Sequence, residues 1–103
     1  MFVRVCRWEE LDDTSRDAGI EWFTEDYLPI AREMPGFEGS LLLVDRPGAR
    51  VTTITLWASE EELRASEESV RRIADRNAAA GAPRPTIESF ELEHADLGQR
   101  ARP

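Results

Sequence analysis

The chain has 103 residues, of which 41% are hydrophobic, 33% charged and 8% aromatic, with 21 acidic against 13 basic side chains and a net charge of −8. This is the profile of one globular domain, and it excludes a chain that is disordered throughout or a membrane span. The basic residues are all Arg, scattered among Asp and Glu, so no cationic stripe exists to engage nucleic acid.

Residues 2–8 are short, aromatic and β-branched and run into an acidic stretch at 9–13, which predicts a first strand followed by a loop. From Thr14 or Ser15 onward, Ile20, Phe23, Tyr27, Ile30, Ala31 and Met34 recur at helical spacing, giving a first helix with one buried stripe. Pro29 interrupts that pattern, and a kink or an early end is expected there. Pro35-Gly36-Phe37-Glu38-Gly39 reverses the chain ahead of a second strand over 40–46, aliphatic enough to be buried on both faces. Pro47-Gly48 then connects to a third strand over 50–58, whose residues alternate with period two and complete a hairpin. Ser59 with Glu62 three residues on forms a capping box that starts a second helix. Its stripe of Leu63, Val70, Ile73 and Ala74 carries Ser66 and Asn77 on the same face. Residues 81–85, rich in Gly and Pro, end this helix, and 86–93 form a last strand.

The order β-α-β-β-α-β is that of a ferredoxin-like α+β domain, an antiparallel four-stranded sheet with both helices on one face. We assign this domain to residues 1–94, and 95–103 to a flexible C-terminal tail without pattern. If Trp57 points toward the helices, then Thr52, Ile54 and Leu56 point away from them and leave an apolar sheet face uncovered. A homodimer that pairs two such faces removes the problem, and a chain this short gains much of its core by doing so. A single Cys, Cys6, predicts a reducing compartment, the cytoplasm. The longest apolar run, 41–44, is far short of the roughly 20 residues of a membrane span.

Pro35-Gly36-Phe37-Glu38-Gly39, Ile54-Thr55-Leu56-Trp57-Ala58-Ser59-Glu60-Glu61 and Leu63-Arg64-Ala65-Ser66-Glu67 together resemble the antibiotic biosynthesis monooxygenase family, over most of the chain. The resemblance implies a dimeric α+β barrel in which two sheets pack face to face. It also implies a pocket between sheet and helices for a small aromatic or polyketide-type molecule. In the quinone-forming branch of that family, neither metal nor flavin is used, and a deprotonated phenol reacts with oxygen directly. Trp57 matches that branch's Trp at the end of strand three, whereas Thr53 and Leu63 stand where it has Asn and Tyr. The haem-degrading branch has a Trp and an iron-ligating His on helix two, and this helix has neither. Polyketide cyclases or isomerases and non-catalytic small-molecule-binding proteins of the same fold are the alternatives.

The candidate catalytic residues are Trp57, Asn77, Arg4 and His94. Trp57 is either a pocket wall that stacks on a flat substrate or core packing. Asn77 supplies a hydrogen bond from a buried helix face. Arg4 is positioned to hold an enolate or phenolate if its strand face meets the helices, the alternative being an ion pair with an acidic residue of helix one or strand four. His94 is the default general base, as the one side chain that ordinarily titrates near neutrality. Tyr27, Phe23, Thr53, Thr55, Ser66 and Val70 are candidates for substrate binding. Cys6 reads as a small buried hydrophobe. With one His, one Cys and dispersed acids there is no metal-ligand spacing, and neither metal nor cofactor is expected.

Overall fold

The computed structural model, which describes residues 1–98, begins with β1 (Phe2–Trp8) and continues into α1 (Asp13–Glu21). Asp12 caps α1, its carboxylate accepting from the Ser15 N–H at 2.7 Å, so the helix starts slightly ahead of the expected position. The expected break at Pro29 takes another form. Residues Trp22–Tyr27 wind as a π-helix, in which the Leu28 N–H reaches back five residues to the Phe23 carbonyl. Pro29 then sits in the first turn of a short α2 (Leu28–Ala31), where a missing N–H is tolerated. The physical cause is local: Pro29 has no donor for the Glu25 carbonyl and crowds it, and the widened turn relieves both conflicts.

β2 (Phe37–Asp45) begins three residues earlier than the aliphatic run suggests. Gly36 precedes it at φ +82°, a left-handed conformation that calls for glycine, while a Cβ there would meet only the flexible end of the Glu62 side chain. β3 (Arg50–Trp57) and α3 (Glu60–Ala79) follow. The α3 capping box forms as the sequence predicts, with Ser59 Oγ accepting from the Glu62 N–H at 3.1 Å and donating to Glu62 Oε1 at 3.0 Å. β4 (Thr86–Glu91) is two residues shorter than expected, and 92–98 have no regular secondary structure. The remainder of the 95–103 tail, residues 99–103, lies outside the described residues.

All strand pairs are antiparallel, in the order β2-β3-β1-β4. Register settles which side of β1 meets the helices: Arg4 pairs with Thr55, Cys6 with Thr53 and Trp8 with Val51, and Val51, Thr53, Thr55 and Trp57 are all buried. Phe23, Tyr27, Leu28 and Ala31 form the core above this face, with Trp22, Phe37, Leu42, Val70 and Ile73 packed around them.

The opposite face carries Val3, Val5, Ile54, Leu56, Leu41, Leu43 and Phe90, with an Arg7–Glu88 ion pair beside them. Phe90 of β4 is 46% exposed, and Leu41 and Leu43 are 42% and 49% exposed, which corrects the expectation that the second strand is buried on both sides. The helices cover one side only, so every second aliphatic residue of β2 is left outside. Among the described residues, no helix is long and apolar enough to cross a membrane.

Two surface turns tie the fold to pH. Asp45 accepts from Arg50 Nη2 and Nε at 2.6 and 2.9 Å and from the Gly48 N–H at 3.0 Å, and these bonds, Arg50's first, hold its pKa below the usual 3.8. The Ser15 N–H does the same for the capping Asp12. Since folding depresses both values, their stabilisation is complete above 3.8 and is lost as pH falls through the lower folded-state values. Urea midpoints taken from about pH 6 down to about pH 2 should therefore drop in that acid window, and Asp45→Asn should shallow the drop. An unchanged slope in Asp45→Asn would mean that other carboxylates govern acid unfolding.

Candidate functional site

Between the helix-covered side of the sheet and the helices lies a cavity of about 360 Å³. Arg4, Cys6 and Trp8 of β1 run along its floor beside Val51, Thr53 and Thr55 of β3. Trp22, Phe23 and Tyr27 of the π-helical turn form one wall, and Val70, Ile73, Ala74 and Asn77 of α3 the other. Ser15, Arg16, Ala18 and Gly19 of α1, with Gly81, Ala82, Pro83 and Pro85, border the remaining side. The π turn is what delivers three aromatic rings to one wall: Tyr27 lies 5.6 Å from Phe23, nearly parallel to it, and 5.5 Å from Trp22.

Arg4 sets the electrostatics of this space. Its side chain is 2% exposed, and Nη2 donates to the Leu63 carbonyl at 2.7 Å and to Ser66 Oγ at 2.8 Å, while the guanidinium carbon lies 5.6 Å from the centre of the Trp57 ring. Ser66 Oγ in turn donates to the Leu63 carbonyl at 2.7 Å, which locks the anchor onto the first turns of α3. No carboxylate among the described residues pairs with Arg4, and its Nε and Nη1 are buried without an acceptor. The ion pair weighed for Arg4 from sequence is thus replaced by a carbonyl, a hydroxyl and an indole face.

Burial pushes the Tyr27 phenol above its ordinary value of 10.0, against a downward pull from Arg4, so Tyr27 meets the cavity as a protonated hydroxyl. Burial likewise raises the Cys6 thiol above 9.0, outweighing the lowering by Arg4 and by a hydrogen bond with Thr53. Among the described residues lining the cavity there is no Asp, Glu or His. Nor do any three or more His, Cys, Asp or Glu residues among those described come together as metal ligands.

Of the residues singled out from sequence, Arg4, Asn77, Tyr27, Phe23, Thr53, Thr55 and Val70 line the cavity together. Three do not. Trp57 is wholly buried beneath the cavity, its Nε1 donating to Thr55 Oγ1 at 3.0 Å and its ring meeting Phe37 edge-on, with Arg4 packed over it. Ser66 touches Arg4 and is outside the cavity lining. His94 is exposed beyond the end of β4, away from the cavity, because the strand stops at Glu91. Sequence reasoning passed over Trp8, Trp22 and Arg16. Trp8 shares the strand parity of Arg4 and was findable once that parity was known. Trp22 enters through the π register, which a period of 3.6 does not signal. Arg16 lines the cavity while paired with Asp13 at 2.8 Å and Asp17 at 3.1 Å.

No protein-family model matches the chain. It is 34% identical over 76 residues to the uncharacterized protein Rv2557 of Mycobacterium tuberculosis, covering 74% of this chain and 34% of that one. With the uncharacterized protein Rv2558 of the same organism it shares 34% identity over 83 residues, 81% of this chain and 35% of that one. The chain thus spans about a third of the length of these curated relatives. Among solved structures, the monooxygenase ActVA-Orf6 of Streptomyces coelicolor, in complex with nanaomycin D, superposes with a TM-score of 0.73 at 23% identity over 95% of this chain and 92% of that one. SnoaB, a cofactor-independent oxygenase of Streptomyces nogalater, gives a TM-score of 0.70 at 15% identity over 94% and 97% of the two chains. MhuD, a haem degrader of Mycobacterium tuberculosis, gives 0.70 at 22% identity over 96% and 100%, as a mutant with manganese protoporphyrin IX bound. The chain therefore has the fold of antibiotic biosynthesis monooxygenase-type proteins, as its motifs imply.

Proposed function

We propose that the protein is a cofactor-independent monooxygenase acting on an aromatic or polyketide-type phenol in the cavity between sheet and helices. The observation that carries the reading is a buried guanidinium, Arg4, on the floor of an aromatic-walled cavity with no carboxylate among the described residues to neutralise it. In a space of low dielectric such a charge favours the ionised form of a bound phenol. With no Asp, Glu or His in the lining, the proton passes to solvent, and ionisation depends on Arg4's field. Tyr27, held protonated, and Asn77 donate hydrogen bonds to the electron-rich ring system or to the oxygen that becomes reduced.

For an anthrone-type substrate the balance closes without a cofactor. The ring CH2 becomes C=O, one atom of O2 enters as that carbonyl, and the other leaves as water with the two hydrogens. The four electrons come from the substrate carbon. Haem chemistry fits these residues poorly, since no imidazole lines the cavity and Cys6 is held as a thiol.

The reading extends to a homodimer paired through the exposed sheet faces and working in the cytoplasm, where Cys6 stays reduced. Oxygen uptake with a hydroxyanthrone is the test, and Tyr27→Phe or Asn77→Ala should each slow it by about 100-fold. No uptake, or rates unchanged in both variants, removes the oxygenase reading. The lack of a base in the lining favours one second reading, a binding protein of the same fold, which predicts ligand binding under air with no oxygen consumed.

A further inference from the structure

The donor count on Arg4 narrows the ligand. Both N–H groups of Nη2 are spent, one on the Leu63 carbonyl and one on Ser66 Oγ. Nε keeps one N–H and Nη1 two, and both nitrogens are buried without an acceptor. They lie on different edges of the guanidinium, so an acceptor on one edge leaves the other unmet, and the free donors mark an anion site without choosing between a phenolate and a carboxylate. Charge state makes the choice. A phenol, with an ordinary pKa of about 10, arrives uncharged and leaves the buried cation uncompensated until it ionises, whereas a carboxylate is already an anion at neutral pH.

Among the described residues, the other cation in the lining, Arg16, is paired with Asp13 and Asp17 and does not compete for that anion. Ahead of Arg4, the cavity of about 360 Å³ is lined by Trp22, Phe23 and Tyr27 of the π-helical turn and by Val70 and Ile73 of α3, an apolar lining suited to a flat ring system. We infer that the ligand is an aromatic carboxylate, with the carboxylate on Arg4 and the rings between the π-helical turn and α3. The inference rests on the cavity being the ligand site, as the proposed function has it. It gives Arg4 an anchoring role before any chemistry, with a ring hydroxyl next to the carboxylate still inside the guanidinium's reach.

Binding of 2-naphthoate and of its neutral counterpart 2-naphthamide to the full chain, followed by calorimetry at pH 7, tests this. Naphthoate should bind about 10-fold or more tightly than the amide, in line with a charge-assisted hydrogen bond. Arg4→Met should abolish the preference, and Ser66→Ala, which loosens the anchor without removing the charge, should reduce it. The wild-type comparison and Ser66→Ala keep the test decisive if Arg4→Met fails to fold. Equal binding of the two probes, a preference for the amide, or a preference that survives in folded Arg4→Met would overturn the inference. Binding of neither probe would overturn it together with the ligand-site reading. A naphthoate preference in a protein that consumes no oxygen with hydroxyanthrones leaves this inference standing and removes only the oxygenase.

Discussion

Trp57→Ala is expected to destabilise the domain by about 3–5 kcal/mol, the range for deleting a fully buried large aromatic side chain. Trp57 has no exposed surface, and its loss removes three things together: the edge contact with Phe37, the bond from Nε1 to Thr55, and the aromatic face under Arg4. The last of these makes the substitution worse than a simple cavity, since a buried guanidinium loses one of its few compensations. A domain of this size has roughly 5–15 kcal/mol in all, so a large part of the folded state's margin goes. Trp57→Phe keeps the packing and the ring face and should cost much less. Urea denaturation followed by circular dichroism measures both, and a Trp57→Ala loss below about 1 kcal/mol would mean that this region repacks freely.

The second large effect concerns the uncovered face of the sheet. Ile54→Glu places a carboxylate at the centre of the patch formed with Val5 and Leu41, its pairing partners on either side. If two copies meet there, a charge buried on both sides of a two-fold contact should shift association by about two orders of magnitude or more. Light scattering should then change from about twice the chain mass of 11.7 kDa to the single value. Arg64→Glu, on an exposed position of α3 that pairs with Glu60, is the control and should leave the mass of the assembly unchanged. A wild-type protein that already runs at 11.7 kDa would rule out pairing through this face.

The order of strands and helices was legible because each element carries its own period and its own stop signal. The capping box at Ser59 and Glu62 and the alternation of Val51, Thr53, Thr55 and Trp57 are local features, and the structure reproduces them. The facing of β1 was not legible, since Val3 and Val5 suit a covered or an uncovered side equally well. Register with β3 decided it, and register is a property of two strands together. The cavity was partly legible for the same reason. Tyr27, Asn77 and Val70 follow from helix faces, whereas His94 drew attention by its chemistry alone and lies outside, past the end of its strand. Trp57 stands on the expected sheet face, and of its two readings, pocket wall or core packing, the structure shows the packed position beneath the cavity. Its ring supports Arg4, and Arg4 faces the cavity.

The turn at Trp22–Tyr27 makes the aromatic wall a matter of counting. A turn closed over five residues holds one more residue than the α-helix on either side of it. The surplus is borne by Thr24, Glu25 and Asp26, which face water. Shortening that stretch by one residue would leave every aromatic side chain in the sequence and let the turn close as a regular helix, with Phe23 and Tyr27 three residues apart in place of four, so that their rings would meet at a different angle. Two chains with the same wall residues and helices of unequal length would therefore enclose differently shaped spaces, a difference visible in the spacing between two aromatic positions and invisible in their identities.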